Sequence, residues 1–145
     1  MSIQAKQRAL ALVEQQPCVM MLGTNGPDGT PEIKAILKRR KEGLTRFVFC
    51  CGSSAHRTEV LKKDNRASLY AYEFSMEAEP MVCRGLMLSG KIELSQDDDL
   101  RRSFWEDFMT MHYPKGPLDP EFVVVIFTAE RGNYFEDLRK TDFSV

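Results

Sequence analysis

The segment PEIKAILKRRKEGLTRFVFCCGSSAHRTEVL, residues 31–61, decides how this chain folds. Ile33, Ala35 and Leu37 alternate with Lys34, Ile36 and Lys38, so the segment opens as a strand with its lysines on one face. Gly43 marks a hairpin tip inside the only basic cluster, Lys38-Arg39-Arg40-Lys41 with Arg46, and residues 46–51, RFVFCC, return as the partner of that strand. The return strand ends in Gly52-Ser53-Ser54, which opens a helix at about residues 54–63 with Arg57 in its first turn. A helix start presents unpaired N–H groups and partial positive charge, and hydroxyls with a forked guanidinium suit a phosphate. The same residues also read as an ordinary helix start, with Ser54 as N-cap and Arg57 in solvent. The local pattern leaves both readings open.

On the N-terminal side, residues 3–15 carry an apolar stripe of Ile3, Ala9, Leu10 and Val13, and Pro17 stops that helix. Residues 18–22, CVMML, form a continuous apolar run short enough for a buried strand, and residues 25–30, NGPDGT, turn the chain. On the C-terminal side, 67–72 reads as a strand, 73–81 as an acidic loop, and 85–94 as a strand with Leu86, Leu88, Ile92 and Leu94 on one face. Asp97-Asp98-Asp99 begins a second long helix with Leu100, Phe104, Phe108 and Met111 as its stripe and Trp105 bordering it as a core residue. A Pro- and Gly-rich loop follows at 114–120, then an apolar strand at 121–128 and a further strand or turn from Gly132. Six or so strands joined mainly by hairpins, with peripheral helices, predict a mainly antiparallel barrel, β or α+β by class.

With 145 residues and no repeat or low-complexity linker, residues 1–145 read as a single domain. Lys plus Arg is 20 and Asp plus Glu is 21, so the net charge of −1 gives no general attraction to nucleic acid or membranes. No apolar stretch approaches the roughly 20 residues of a membrane span, and residues 1–16 lack the apolar core of a signal peptide. Cys18, Cys50, Cys51 and Cys83 sit in apolar runs without Cys-x-x-Cys spacing, which reads as buried, reduced thiols in a cytoplasmic protein. Cys50 and Cys51 are adjacent in a strand and point to opposite faces, against a mutual disulfide. With only His56 and His112 in the chain, no zinc site is expected.

The ordered parts are an N-terminal helix, a strand, a GPDG turn, a lysine-bearing strand, a return into a small-residue loop and helix, and a KDNRASLYAY strand. Together with YPKGPLDPEFVVVIFTAERGNYF, they resemble the FMN-binding split-barrel proteins. These are the pyridoxamine 5'-phosphate oxidase-like flavoproteins of bacteria, in particular the short general stress protein branch, and the resemblance covers about residues 5–143. It implies an antiparallel split β-barrel and a homodimer with FMN at the subunit interface. It implies that Lys34, Ala35, Ile36, Leu37 and Lys38 run beside the flavin ring, with Gly85 nearby. Cys50, Cys51, Gly52, Ser53 and Ser54 would meet the ribityl chain and phosphate, and Arg57 would grip the phosphate. Two positions depart from the family pattern: Cys51 stands where Thr is common, and Ala55 where Ser is common. Each weakens a hydrogen bond worth about 1 kcal/mol.

The resemblance implies an FMN-dependent oxidoreductase that passes electrons between a reduced nicotinamide or other donor and a small acceptor. The substrate-gripping residues and C-terminal segment of true pyridoxamine phosphate oxidases have no match here, so that reaction is not expected. No catalytic triad, carboxylate pair or metal set competes for the chemistry, and no catalytic residue is assigned. A flavin-binding or sensing module without turnover, and a dimeric scaffold with a decayed flavin site, stand as the other readings.

Overall fold

The computed structural model describes residues 2–15, 19–37 and 40–145. The helix α1 spans Ser2–Gln15, α2 His56–Lys63 and α3 Asp98–Phe104, with a short 3-10 helix at Asp107–Met111. The strands are β1 Val19–Asn25, β2 Pro31–Leu37, β3 Arg40–Glu42, β4 Arg46–Gly52, β5 Arg66–Ser75, β6 Val82–Ser95, β7 Phe122–Glu136 and β8 Arg139–Ser144. They form one antiparallel sheet in the order β2-β1-β5-β6-β7-β4-β3, with β8 added beside β7.

The curl of that sheet follows from chain length. β2 and β3 lie at opposite edges of the strand order, yet only residues 38 and 39 separate them in sequence. Three Cα steps reach at most about 11 Å. The sheet therefore bends until its edges nearly meet, which is a split barrel. A register shift at Ser89/Gly90 in the long β6–β7 ladder contributes to the bend. β4 accordingly does not return as the partner of β2. It makes its hairpin with β3 and pairs on its other side with β7, while β2 pairs with β1. Alternation along single strands cannot tell these pairings apart, because both satisfy the pleat.

Two cores result. Inside the barrel, Met20, Leu22, Leu69, Leu86, Leu88, Phe47, Phe49 and Phe127 pack together, and α1 adds Ala5, Ala9, Leu12 and Val13. The stripe of α1 thus lies on a different face from Ile3, which is exposed. β1 is not buried throughout: Met20, Leu22 and Thr24 face in, while Val19 is exposed. On the outer face of β4 and β7, Val48, Phe122, Val124 and Ile126 are covered by Phe104, Met109 and Tyr113. Asp97 caps α3 by accepting from Leu100 N at 3.0 Å. That helix ends at Phe104, because Trp105 turns extended and sets its ring edge-on to Phe122 at 5.5 Å. The break shifts the buried positions from Phe108 and Met111, both exposed, to Met109 and Tyr113. The strand at residues 67–72 runs on to Ser75, which shortens the expected loop. Among the described residues, no helix is long and apolar enough to cross a membrane.

Candidate functional site

The end of β4 meets the start of β7, since Gly52 pairs with Phe122 and Ser53 N donates to Glu121 O at 2.9 Å. The chain then turns tightly, with Ala55 N donating to Gly52 O at 3.1 Å, and enters α2. The N-cap is Ala55, which offers no side-chain cap, so the ordinary reading of Ser54 as N-cap is corrected. Both serines face Glu121 instead. Ser53 Oγ donates to Glu121 Oε1 at 2.9 Å, Ser54 Oγ to Oε2 at 2.8 Å, and Ser54 N to Oε2 at 3.3 Å. Hydrogen bonds from Ser54 and Ser53 hold the Glu121 carboxyl below the usual carboxylate range.

Arg57, the second residue of α2, joins none of these hydrogen bonds. Its charge reaches Cys51 and Tyr113, drawing both toward ionisation. Its Nε and Nη1 are withdrawn from water and meet no acceptor among the described residues. Arg57 is therefore neither a solvated surface cation nor part of the serine–Glu121 cluster. Burial nonetheless dominates its neighbours. It pushes the Cys51 thiol up, against a 3.1 Å contact to Thr58 Oγ1, and it drives the Tyr113 phenol far above its ordinary value, with Cys50 adding to the effect. Thr58, buried in the first turn of α2, donates to Gly52 O at 2.6 Å and so ties the helix to the end of β4. Cys50 packs in the outer core and Cys51 in the barrel core, on opposite faces as their adjacency requires, and neither is in a disulfide.

β2 joins the site through the first residue of α2: His56 Nε2 lies 2.9 Å from Glu32 Oε1. Lys34 follows Glu32 on the same strand face and is exposed, and Ile36, next on that face, is buried in the barrel. Ala35 and Leu37 look out from the opposite face. Lys38 lies outside the described residues. The far edge of β2 carries no strand among the described residues.

Gly85 is not brought to this cluster within one chain. It pairs with Phe135, whereas Gly52 pairs with Phe122 at the other end of β7. Gly85 lies under Tyr70, whose hydroxyl would collide with any Cβ placed there. Two clefts of about 460 Å³ open elsewhere, one walled by Gly23, Ser68 and Ser89, the other by Gly26, His56 and Lys63. Neither is lined by Arg57, Ser53 or Ser54. Among the described residues, no three His, Cys, Asp or Glu side chains are grouped to hold a metal.

Glu121 and Thr58 went unread in the sequence. Glu121 follows Asp119-Pro120 at the head of an apolar run, and only the β4–β7 register sets it beside Ser53 and Ser54.

The family model for pyridoxamine 5'-phosphate oxidase matches residues 5–136. The chain belongs to that family. One solved family structure is similar over the whole chain, a Clostridium acetobutylicum protein related to general stress protein 26 of B. subtilis. It is 33% identical with a TM-score of 0.81, and the match covers 100% of this chain and 97% of that one. A heme binding protein from Mycobacterium smegmatis is 22% identical with a TM-score of 0.75, the match covering 97% of this chain and 57% of that one. A FAD-binding protein from Mesorhizobium loti is 15% identical with a TM-score of 0.67, covering 90% and 93%. These last two share the fold of the pyridoxamine 5'-phosphate oxidase family and carry no residue-level argument. No curated protein matches the chain.

Proposed function

We propose that this member of the pyridoxamine 5'-phosphate oxidase family binds FMN between two copies of itself. It then acts as an oxidoreductase, passing electrons from a reduced nicotinamide or other donor to a small acceptor. The observation that carries the reading is Arg57, whose Nε and Nη1 are buried beside a serine-rich turn without an acceptor. A buried, unpaired guanidinium edge costs free energy unless an anion completes it. The donor set of that turn is fitted to anions as well, since it already holds a carboxylate.

Other features support the reading. The free edge of β2 offers backbone groups, and Lys34 adds positive charge next to it. Neither of the two clefts of about 460 Å³ is lined by Arg57, Ser53 or Ser54, which favours a ligand lying against the surface and covered by a second copy. The outer face of β5 supplies apolar cover: Tyr70, Tyr72 and Phe74 are 41%, 50% and 56% exposed, with Met87 on adjacent β6 and Leu37 and Ile33 farther out on β2. Such a patch on a small protein marks an association surface. In the proposed dimer, that face would carry Gly85 toward the flavin of the partner.

A bound flavin supplies the hydride and electron transfer. The chain's part is to hold and orient it: Arg57 grips the phosphate, β2 lines the ring, and Lys34 favours negative charge there. The buried thiol of Cys51, held up by desolvation, has no place as a nucleophile.

The test is a pair of fluorescence-quenching titrations, FMN and riboflavin, on wild type and Arg57→Ala. FMN is expected to weaken about tenfold or more in the variant, as charge-assisted contacts worth roughly 1.5–3 kcal/mol are lost. Riboflavin, without a phosphate, is expected to lose much less, and bleaching of the bound flavin by NADH or NADPH marks turnover. Equal weakening of both ligands removes the phosphate role of Arg57.

Glu121 favours a second reading, a flavin module without turnover or a scaffold with a decayed site. Its carboxylate holds the hydroxyls assigned to the phosphate, in a site where Cys51 and Ala55 have already displaced two hydroxyl donors.

A further inference from the structure

Ser53 and Ser54 hold an anion that belongs to the chain itself. Ser53 Oγ, Ser54 Oγ and Ser54 N, three donors that a phosphate at this turn would use, all end on the Glu121 carboxylate at 2.9, 2.8 and 3.3 Å. We propose that Glu121 is a built-in competitor for the phosphate seat and sets which flavin forms the site accepts. A ligand that carries a phosphate must displace the carboxylate, and one without a phosphate need not. The inference rests on the flavin reading above and adds the residue that governs its selectivity.

The chemistry requires the competition. A carboxylate brings one negative charge and two acceptor oxygens, while a phosphate monoester brings nearly two charges and three oxygens. The same three donors cannot serve both, and two anions at hydrogen-bond distance from one turn repel. The geometry keeps the competitor in place. Glu121 is anchored by its own backbone oxygen, which accepts from Ser53 N at 2.9 Å, and by the pairing of Phe122 with Gly52. Its carboxylate is thus tethered beside the serines at a high effective concentration. Gly52 leaves it room: a Cβ there would stand 3.2 Å from Glu121 Oε2. The side chain is also exposed, so it can swing into water and exchange its bonds for solvent.

Arg57 marks the difference between a competitor and a structural partner. Among the described residues, no hydrogen bond joins Glu121 to Arg57, and Arg57 Nε and Nη1 stay unpaired. The internal anion satisfies the hydroxyls and leaves the guanidinium for another ligand.

The test uses the full chain labelled with nitrogen-15, as wild type, Glu121→Gln and Glu59→Gln. Glu59 lies in the first turn of α2 and pairs with Lys62, so its neutralisation removes the same charge from the same helix end without touching the serines. Each protein is titrated with inorganic phosphate, FMN and riboflavin while the Ser53 and Ser54 amide signals are followed. Phosphate and FMN are expected to half-saturate Glu121→Gln at about one tenth of the wild-type concentration. Riboflavin is expected to change by less than about twofold, and Glu59→Gln to follow wild type. Equal gains for FMN and riboflavin, equal gains in both variants, or serine amides that respond to phosphate in none of the proteins overturn the proposal. Failure of the flavin reading is separate: no flavin binds any protein, while inorganic phosphate still prefers Glu121→Gln.

Discussion

Tyr113 and Cys51 face the same buried guanidinium, and their ionisation should leave a mark on stability. Burial raises both acids above their ordinary values of 10.0 and 9.0, so the unfolded chain releases these protons first as pH rises. The stability they contribute is complete below about pH 8 and is lost as pH climbs through the unfolded thiol and phenol values. Urea midpoints measured from about pH 7 to about pH 11 are expected to fall, more steeply above about pH 10. Tyr113→Phe should flatten that upper part, and an unchanged slope in the variant would remove Tyr113 as its source. At this scale the sequence was legible where chemistry is local. Arg57 in the first turn and the opposed faces of Cys50 and Cys51 followed from spacing alone. Glu121 did not, because 67 residues separate it from Ser54 and only a strand register joins them.

Elements were legible where period and caps agreed. The Asp run at 97–99 predicted a helix start, and Asp97 caps it; the alternation from 85 to 94 predicted a strand with Leu86, Leu88, Ile92 and Leu94 on one face, of which the first three are buried and Leu94 partly so. The stripe through Phe108 and Met111 misled, because extending a helical period past Trp105 assumes an unbroken axis. The ring of Phe122 reset that axis by taking Trp105 edge-on. This cover over β4 and β7 is a measurable part of the fold. Phe104, 2% exposed, lies 6.1 Å from Phe122 between ring centroids. Phe104→Ala is expected to cost about 3–5 kcal/mol in chemical denaturation, since a cavity would open between two packed layers. A loss under about 1 kcal/mol would mean that the α3 segment contributes little to holding the outer core.

Among the described residues, the exposed apolar surface coincides only in part with the apolar runs of the sequence. The apolar runs at residues 18–22, 46–51 and 121–127 hold more apolar surface than one small barrel covers, which calls for a second copy. The latter two are absorbed within the chain, by the barrel core on one side and Phe104, Met109 and Tyr113 on the other, whereas Val19 and Met21 of the first stay on the outer face of β1. The exposed apolar row lies across β2, β1, β5 and β6, where Leu37 pairs with Val19 and Ala35, Met21, Tyr70 and Met87 align. Light scattering at micromolar concentration is expected to give the mass of a dimer. Tyr72→Glu should shift it to a monomer that still melts cooperatively, because this side chain is half-exposed in the single chain. A wild-type monomer would sink the interfacial flavin site. What the sequence determined by itself was everything set by neighbours along the chain: the alternation of β2, the turn at 26–30, the Asp-capped helix and the serine–arginine turn at the end of β4. What only the tertiary structure decided was which strands pair and therefore which distant groups meet. Hydrogen-bond ladders accept any strand with a matching pleat, and the two-residue link between β2 and β3 selects the curled sheet that carries Glu121 to Ser53 and Ser54.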